Sequence, residues 1–207
     1  MMVNTYPEHG QIVILNGAPR SGKSSIANVI QELFEGVWIG LGVDLIMQST
    51  PARFLPGIGL RPGGERPDLE PIVCLQYQAL YESIAAHSRL GFNVVVDVGH
   101  HDSYSVPLGI LQRCARILDE YPVLFIGIHC PIETIVERRR LTGWKELDAS
   151  SSSPIVRWQN EVHKPGIYDL QLDTSLHTST ECAEIIRNFI DSGVSPFAFQ
   201  RLAETDA

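Results

Sequence analysis

Residues 17–24 read Gly-Ala-Pro-Arg-Ser-Gly-Lys-Ser, which fits G-x-x-x-x-G-K-[ST], and their position constrains the chain as much as their identity does. They follow a short apolar run, Gln11 to Asn16, with the composition of a strand buried on both faces of a parallel sheet. They precede a helical pattern in which Ile26, Val29, Ile30 and Leu33 form one stripe and Gly36 supplies a stop. A glycine-rich turn between a buried strand and a helix start is what phosphate binding requires. Backbone N–H groups point inward, the helix N-terminus adds positive potential, a lysine reaches the β- and γ-oxygens, and a serine hydroxyl takes a Mg²⁺ position. The expected nucleotide cradle is therefore Gly17, Ala18, Arg20, Ser21, Gly22, Lys23, Ser24 and Ser25, with Ser24 toward the metal. Arg20 reads either as a further phosphate contact or as a solvated loop residue.

The same strand–helix alternation continues. Buried strands are expected at Val37 to Leu41, Asn93 to Val98 and Val123 to His129, with a weaker one from Asp169 to Asp173. Helices are expected at Ile72 to Leu90, Val106 to Glu120, Ile132 to Leu141 and Thr178 to Ile190. This implies an α/β fold: a parallel five-stranded sheet in three layers, helices on both faces, function on the loops after the strands. At 207 residues, 44% of them hydrophobic, one domain over residues 1–193 is expected. Two long loops interrupt the pattern, a proline- and glycine-rich stretch at about 48–71 and a serine-rich one at about 143–154, expected as an acceptor loop and a lid. Residues 194–207 read as a C-terminal extension.

A net charge of −8 argues against nucleic-acid binding through a basic surface, and no apolar run approaches a membrane span. Cys74, Cys114, Cys130 and Cys182 are scattered and read as free thiols. With no leader signal, the expected location is cytoplasmic.

A phosphate loop does not separate a kinase from an ATPase, so the other site residues decide. Asp44, in Gly-Leu-Gly-Val-Asp44-Leu-Ile, falls just beyond the second strand, where a carboxylate can orient an alcohol and take its proton; alternatively it caps a short helix starting at Leu45. Asp97 ends an apolar strand, the setting for a carboxylate that binds Mg²⁺ directly or through water, or that hydrogen-bonds the phosphate loop. Arg138, Arg139 and Arg140 close the helix after the fourth strand, and at least one is expected over the transferring phosphoryl group. His100, His101 and Asp102 match no familiar ligand spacing and read as a substrate-facing or solvated loop; Trp144, Trp158 and Tyr168 read as packing residues.

These segments, with Glu137-Arg138 and the run Val162 to Ser175, resemble the chloramphenicol phosphotransferase family of P-loop kinases from Gln11 to about Ile190. The resemblance implies a nucleotide- and shikimate-kinase-like architecture, ATP and Mg²⁺ as cofactors, a primary hydroxyl as acceptor, Asp44 as the base, and antibiotic resistance as the setting. The family's Arg-Gly-Asp-Arg lid is replaced here by Thr142-Gly143-Trp144-Lys145. Beside this O-phosphotransferase reading stand three rivals: a kinase of another small metabolite, an ATP-hydrolysing regulatory or toxin-like protein with a protein partner, and a kinase of nucleic-acid ends.

Overall fold

The computed structural model describes residues 9–55, 66–141 and 154–205. Five strands, β1 (Ile12–Asn16), β2 (Trp38–Gly42), β3 (Asn93–Val98), β4 (Val123–His129) and β5 (Leu170–Asp173), form one parallel sheet in the order β2-β3-β1-β4-β5. Ile12, Ile14, Val94, Val96 and Phe125 pack on one face, under α3 (Glu70–Arg89) and α4 (Ile110–Ile117). Val13, Leu15, Val95, Leu124 and Ile126 pack on the other, under α1 (Lys23–Leu33) and α7 (Ser179–Asp191). Side chains alternate faces along a strand, and here both faces are covered, so the strands are apolar at nearly every residue.

Strand register sets the site. Asp97 pairs with Leu15 of β1 on one side and Gly42 of β2 on the other, so the ends of three strands converge on one carboxylate. Immediately after Gly42 the chain turns into α2 (Val43–Ser49), a short helix that carries Asp44 in its first turn. After β4 come α5 (Ile132–Leu141) and α6 (Pro154–Glu161). Ala18 of the phosphate loop, Ile135 of α5, and Trp158 and Val162 at α6 form a small separate core beneath this end of the sheet.

Three expectations change. The helix read as Val106 to Glu120 is only Ile110–Ile117, because the Asp102 carboxylate holds the N–H groups of Leu108 and Gly109, and Gly109 turns with φ 57° into the helix start. The segment after Val194 is no appendage. It forms α8 (Ala198–Ala203), whose Ala198, Phe199 and Leu202 are buried against the α3–α4 face, with Phe199 edge-on to Phe125 at 5.0 Å. The Asp169 carboxylate anchors it by accepting from the N–H groups of Phe197 and Ala198. His100 and His101 are buried rather than solvated. Of the long loops, residues 56–65 of the first, 143–153 of the second and the Thr142 to Lys145 lid sequence, Trp144 included, lie outside the described residues.

Candidate functional site

The phosphate loop closes tightly on its own backbone. A Cβ at Gly17 would stand 2.4 Å from the Ile128 carbonyl oxygen, so only glycine lets the loop pass that close to β4. Arg20 and Gly22 turn through positive φ, 68° and 102°, and Gly22 then caps α1. Lys23 is nearly buried; its ammonium donates to the Ala18 carbonyl at 2.9 Å and lies 3.4 Å from Asp97 Oδ1. The Ser24 hydroxyl donates to Asp97 Oδ2 at 2.5 Å. One carboxylate thus holds both the lysine and the hydroxyl at the mouth of the loop.

A cavity of about 1000 Å³ opens over this cluster. Gly17, Arg20, Gly22, Lys23, Ser24 and Ser25 form its floor, and Asp44 of α2, Asp97 of β3, Arg138 and Arg139 of α5 and Trp158 of α6 stand around it. On the far side it is bordered by the loop after β5, from Thr174 to Ser179, which sequence reasoning did not select. Ala18 and Ser21 are buried within the loop rather than lining the cavity: the Ala18 carbonyl takes the lysine, and the Ser21 carbonyl accepts from Thr174 Oγ1 at 2.6 Å.

The three arginines separate as a helix requires, each about 100° from the next. Arg138 reaches the phosphate loop, its guanidinium donating to the Arg20 carbonyl at 3.3 Å, to Thr174 Oγ1 at 3.0 Å, to the Thr174 carbonyl at 2.7 Å and to Cys130 Sγ at 3.4 Å. Arg139 is buried at the cavity wall. Arg140 points to solvent in a bidentate pair with Glu137, which holds that carboxyl below its ordinary range, and does not line the cavity.

Sequence reasoning missed Asn16, the last residue of β1. Its buried amide accepts from the His100 N–H at 2.7 Å and donates to the Val162 carbonyl and the Tyr168 hydroxyl, both at 2.8 Å. The available signal was a polar residue ending a wholly apolar strand just before the loop. Thr174 gave less signal, since only its place in the Asp173-Thr174-Ser175 run singled it out. His100 hydrogen-bonds Tyr81 through Nε2 at 2.8 Å and stacks near Tyr77, and burial pulls its pKa down to about 3. His101 packs on Tyr104 and edge-on to Trp158. Among the described residues no group of three His, Cys, Asp or Glu is placed to hold a metal, and no helix is long and apolar enough to cross a membrane.

A parallel sheet and a phosphate loop entering a helix, with a carboxylate at the end of the neighbouring strand, define a P-loop nucleotide-binding fold. The chain belongs to the chloramphenicol phosphotransferase-like family, whose model matches residues 10–191. It is 26% identical over 212 residues to Rv2636 of Mycobacterium tuberculosis H37Rv, whose O-phosphotransferase name is itself provisional; the match covers 93% of this chain and 88% of that one. Among solved structures it is similar in fold to shikimate kinase from Acinetobacter baumannii in complex with shikimate (TM-score 0.60, 16% identity, 89% of this chain and 95% of that one). It is likewise similar to the APS kinase CysC of M. tuberculosis in complex with AMPPNP and APS (TM-score 0.60, 15% identity, 89% and 99%). The protein is thus a nucleotide-binding phosphotransferase.

Proposed function

We propose that the protein moves the γ-phosphoryl group of ATP onto a hydroxyl of a small organic acceptor, with Mg²⁺, and that a chloramphenicol-like antibiotic is the leading acceptor. The observation that carries this reading is that Asp44 borders the same cavity as Lys23, Ser24 and Asp97, two residues beyond Gly42, the strand end that pairs with Asp97. In this reading Asp44 orients the acceptor hydroxyl and takes its proton as the bond to phosphorus forms.

The floor glycines and Lys23 bind the phosphates, and the positive φ at Arg20 and Gly22 curls the loop around them. Ser24 and Asp97 offer a hydroxyl and a carboxylate side by side, oxygen donors that suit a hard cation retaining several waters. Magnesium bound there would neutralise charge on the phosphate oxygens. Asp97 holds Lys23 and Ser24 side by side at the mouth of the loop. Arg139, at the cavity wall, and Arg138, fastened to the loop, supply positive potential over the transferring group.

The test is Mg²⁺-dependent transfer from labelled ATP to chloramphenicol and to a panel of small alcohols, with phosphate release measured without acceptor. Asp44→Asn should leave ATP affinity nearly unchanged and lower turnover by roughly 10²–10⁴-fold, the range for loss of general-base help. Normal turnover in that variant would remove Asp44 from the mechanism. Transfer to another alcohol alone would change the acceptor and keep the chemistry, whereas phosphate release without any transfer would replace the kinase with an ATPase.

A further inference from the structure

Two successive peptides of the phosphate loop are turned by groups outside it. Pro19 and Arg20 form a tight turn closed by the Ser21 N–H on the Ala18 carbonyl at 3.1 Å, with Arg20 at φ 68°. A residue other than glycine is strained in that region and stays there only where its surroundings hold it. Here the Arg20 carbonyl accepts from Arg138 at 3.3 Å, and the next carbonyl, that of Ser21, accepts from Thr174 Oγ1 at 2.6 Å. In a trans peptide the C=O and the N–H point opposite ways. With the Ser21 carbonyl drawn toward Thr174, the Gly22 N–H is turned away from it, and successive N–H groups turned in this manner make an anion cradle.

Thr174 is buried and fixed by its own backbone: its N–H donates to the His129 carbonyl at 3.0 Å, and its carbonyl accepts from Arg138 Nη2 at 2.7 Å. Its hydroxyl has a single proton. Carbonyls only accept, and the Ser21 carbonyl at 2.6 Å is nearer than that of His129 at 3.4 Å, so the proton goes to Ser21. Arg138 only donates, so its Nη1, at 3.0 Å, gives to the hydroxyl oxygen. The relay therefore runs in one direction, from Arg138 of α5 through Thr174 to the loop. The methyl group has its own place, since a Cβ built on Gly22 would stand 3.3 Å from Thr174 Cγ2. Serine would keep the relay and lose the methyl contact. Valine has the shape of threonine and can neither donate nor accept.

We infer that Thr174 is a positioning residue for nucleotide binding: its hydroxyl holds the Ser21–Gly22 peptide in the orientation that receives phosphate, and through Arg138 it ties the placement of α5 to that peptide. The inference rests on the nucleotide-binding part of the proposed function and is independent of the acceptor.

Thr174→Val and Thr174→Ser separate the hydroxyl from the shape. Affinity for a fluorescent, non-hydrolysable ATP analogue with Mg²⁺ is measured at 10 °C, and tripolyphosphate is titrated as a competitor that carries the phosphates alone. Thr174→Val should weaken both by about tenfold or more and by the same factor, as loss of a buried hydrogen bond at the phosphate cradle would. Thr174→Ser should return both to within about threefold of the parent. Adding Arg138→Ala to Thr174→Val should cost less affinity than Arg138→Ala costs alone, because part of its effect passes through the hydroxyl. A Thr174→Val protein that melts lower yet keeps both affinities within twofold would make Thr174 a packing residue and overturn the inference. Equal losses in the valine and serine variants, or independent effects of Arg138→Ala and Thr174→Val, would overturn it too. Thr174→Ala takes the place of valine in each comparison if the valine variant does not fold. Failure of the parent to bind either probe would overturn this inference together with the nucleotide reading, whereas the expected pattern without any phosphoryl transfer would uphold it and count against the kinase reading alone.

Discussion

Replacing Phe199 by alanine separates a core element from a tail. The residue is 3% exposed, and its ring meets Phe125 edge-on at 5.0 Å and lies parallel to Tyr81 at 6.2 Å. Both partners belong to the main cluster, one on the central part of the sheet and one on α3, so truncation leaves a cavity between sheet and helix that neither can close. Phe→Ala at such a site costs about 3–5 kcal/mol. For a chain of this size each kcal/mol lowers Tm by about 2–4 °C, so the expected fall is about 6–20 °C. Thermal unfolding by circular dichroism measures it, with urea midpoints at 25 °C as a check. Phe197→Ala, on the half-exposed neighbour, should stay within about 0.5 kcal/mol. Affinity for a fluorescent ATP analogue at 10 °C should survive in both. A Phe199→Ala protein melting within 2 °C of the parent would mean that α8 does not belong to the folded core.

Lys23→Ala should abolish most phosphoryl transfer, by at least about 10²-fold, with far-ultraviolet circular dichroism unchanged; full activity would refute the phosphate-loop assignment. Arg140→Ala should leave both kinetics and ATP-analogue affinity within twofold, since the side chain lies in solvent, whereas Arg138→Ala should weaken analogue affinity by removing the link from α5 to the loop. Equal effects of the two substitutions on analogue affinity would refute that division. His100 is buried neutral, with its pKa down at about 3 against 6.5 in the unfolded chain, so the unfolded state binds the extra proton in between and stability falls as pH drops through that window. His100→Gln should flatten that acid limb by up to about 1.4 kcal/mol per pH unit, read from urea unfolding at pH 4, 5 and 7; an unchanged slope would refute it.

What the sequence disclosed follows from how local each signal is. The β1, phosphate-loop and α1 segment was legible because an apolar run, a fixed glycine spacing and a helical stripe are contiguous. The ends of α4 were not, because Asp102 and Gly109 set its start from outside the apolar pattern. α8 escaped notice because six residues carry too little periodicity, and its burial depends on Phe125 and Tyr81, distant in sequence. The arginine run was visible as charge, but only helix rotation and the contact with Thr174 distinguish Arg138 from Arg140. The buried histidines misled because His100 is paired with Tyr81 across 19 residues, beyond the reach of any local pattern.

The amide of Asn16 joins the β3 loop, the end of α6 and the residue leading into β5 at one point beside the phosphate loop. These hydrogen bonds lie at the carboxyl end of the central strand, whereas Met47 and Trp158 line the cavity from α2 and α6. The molecule therefore separates two evolutionary problems. On the proposed function, side chains on α2 and α6 can change while the Asn16 frame beside the phosphate loop stays as it is. A chain built this way can acquire a new substrate without relearning its chemistry.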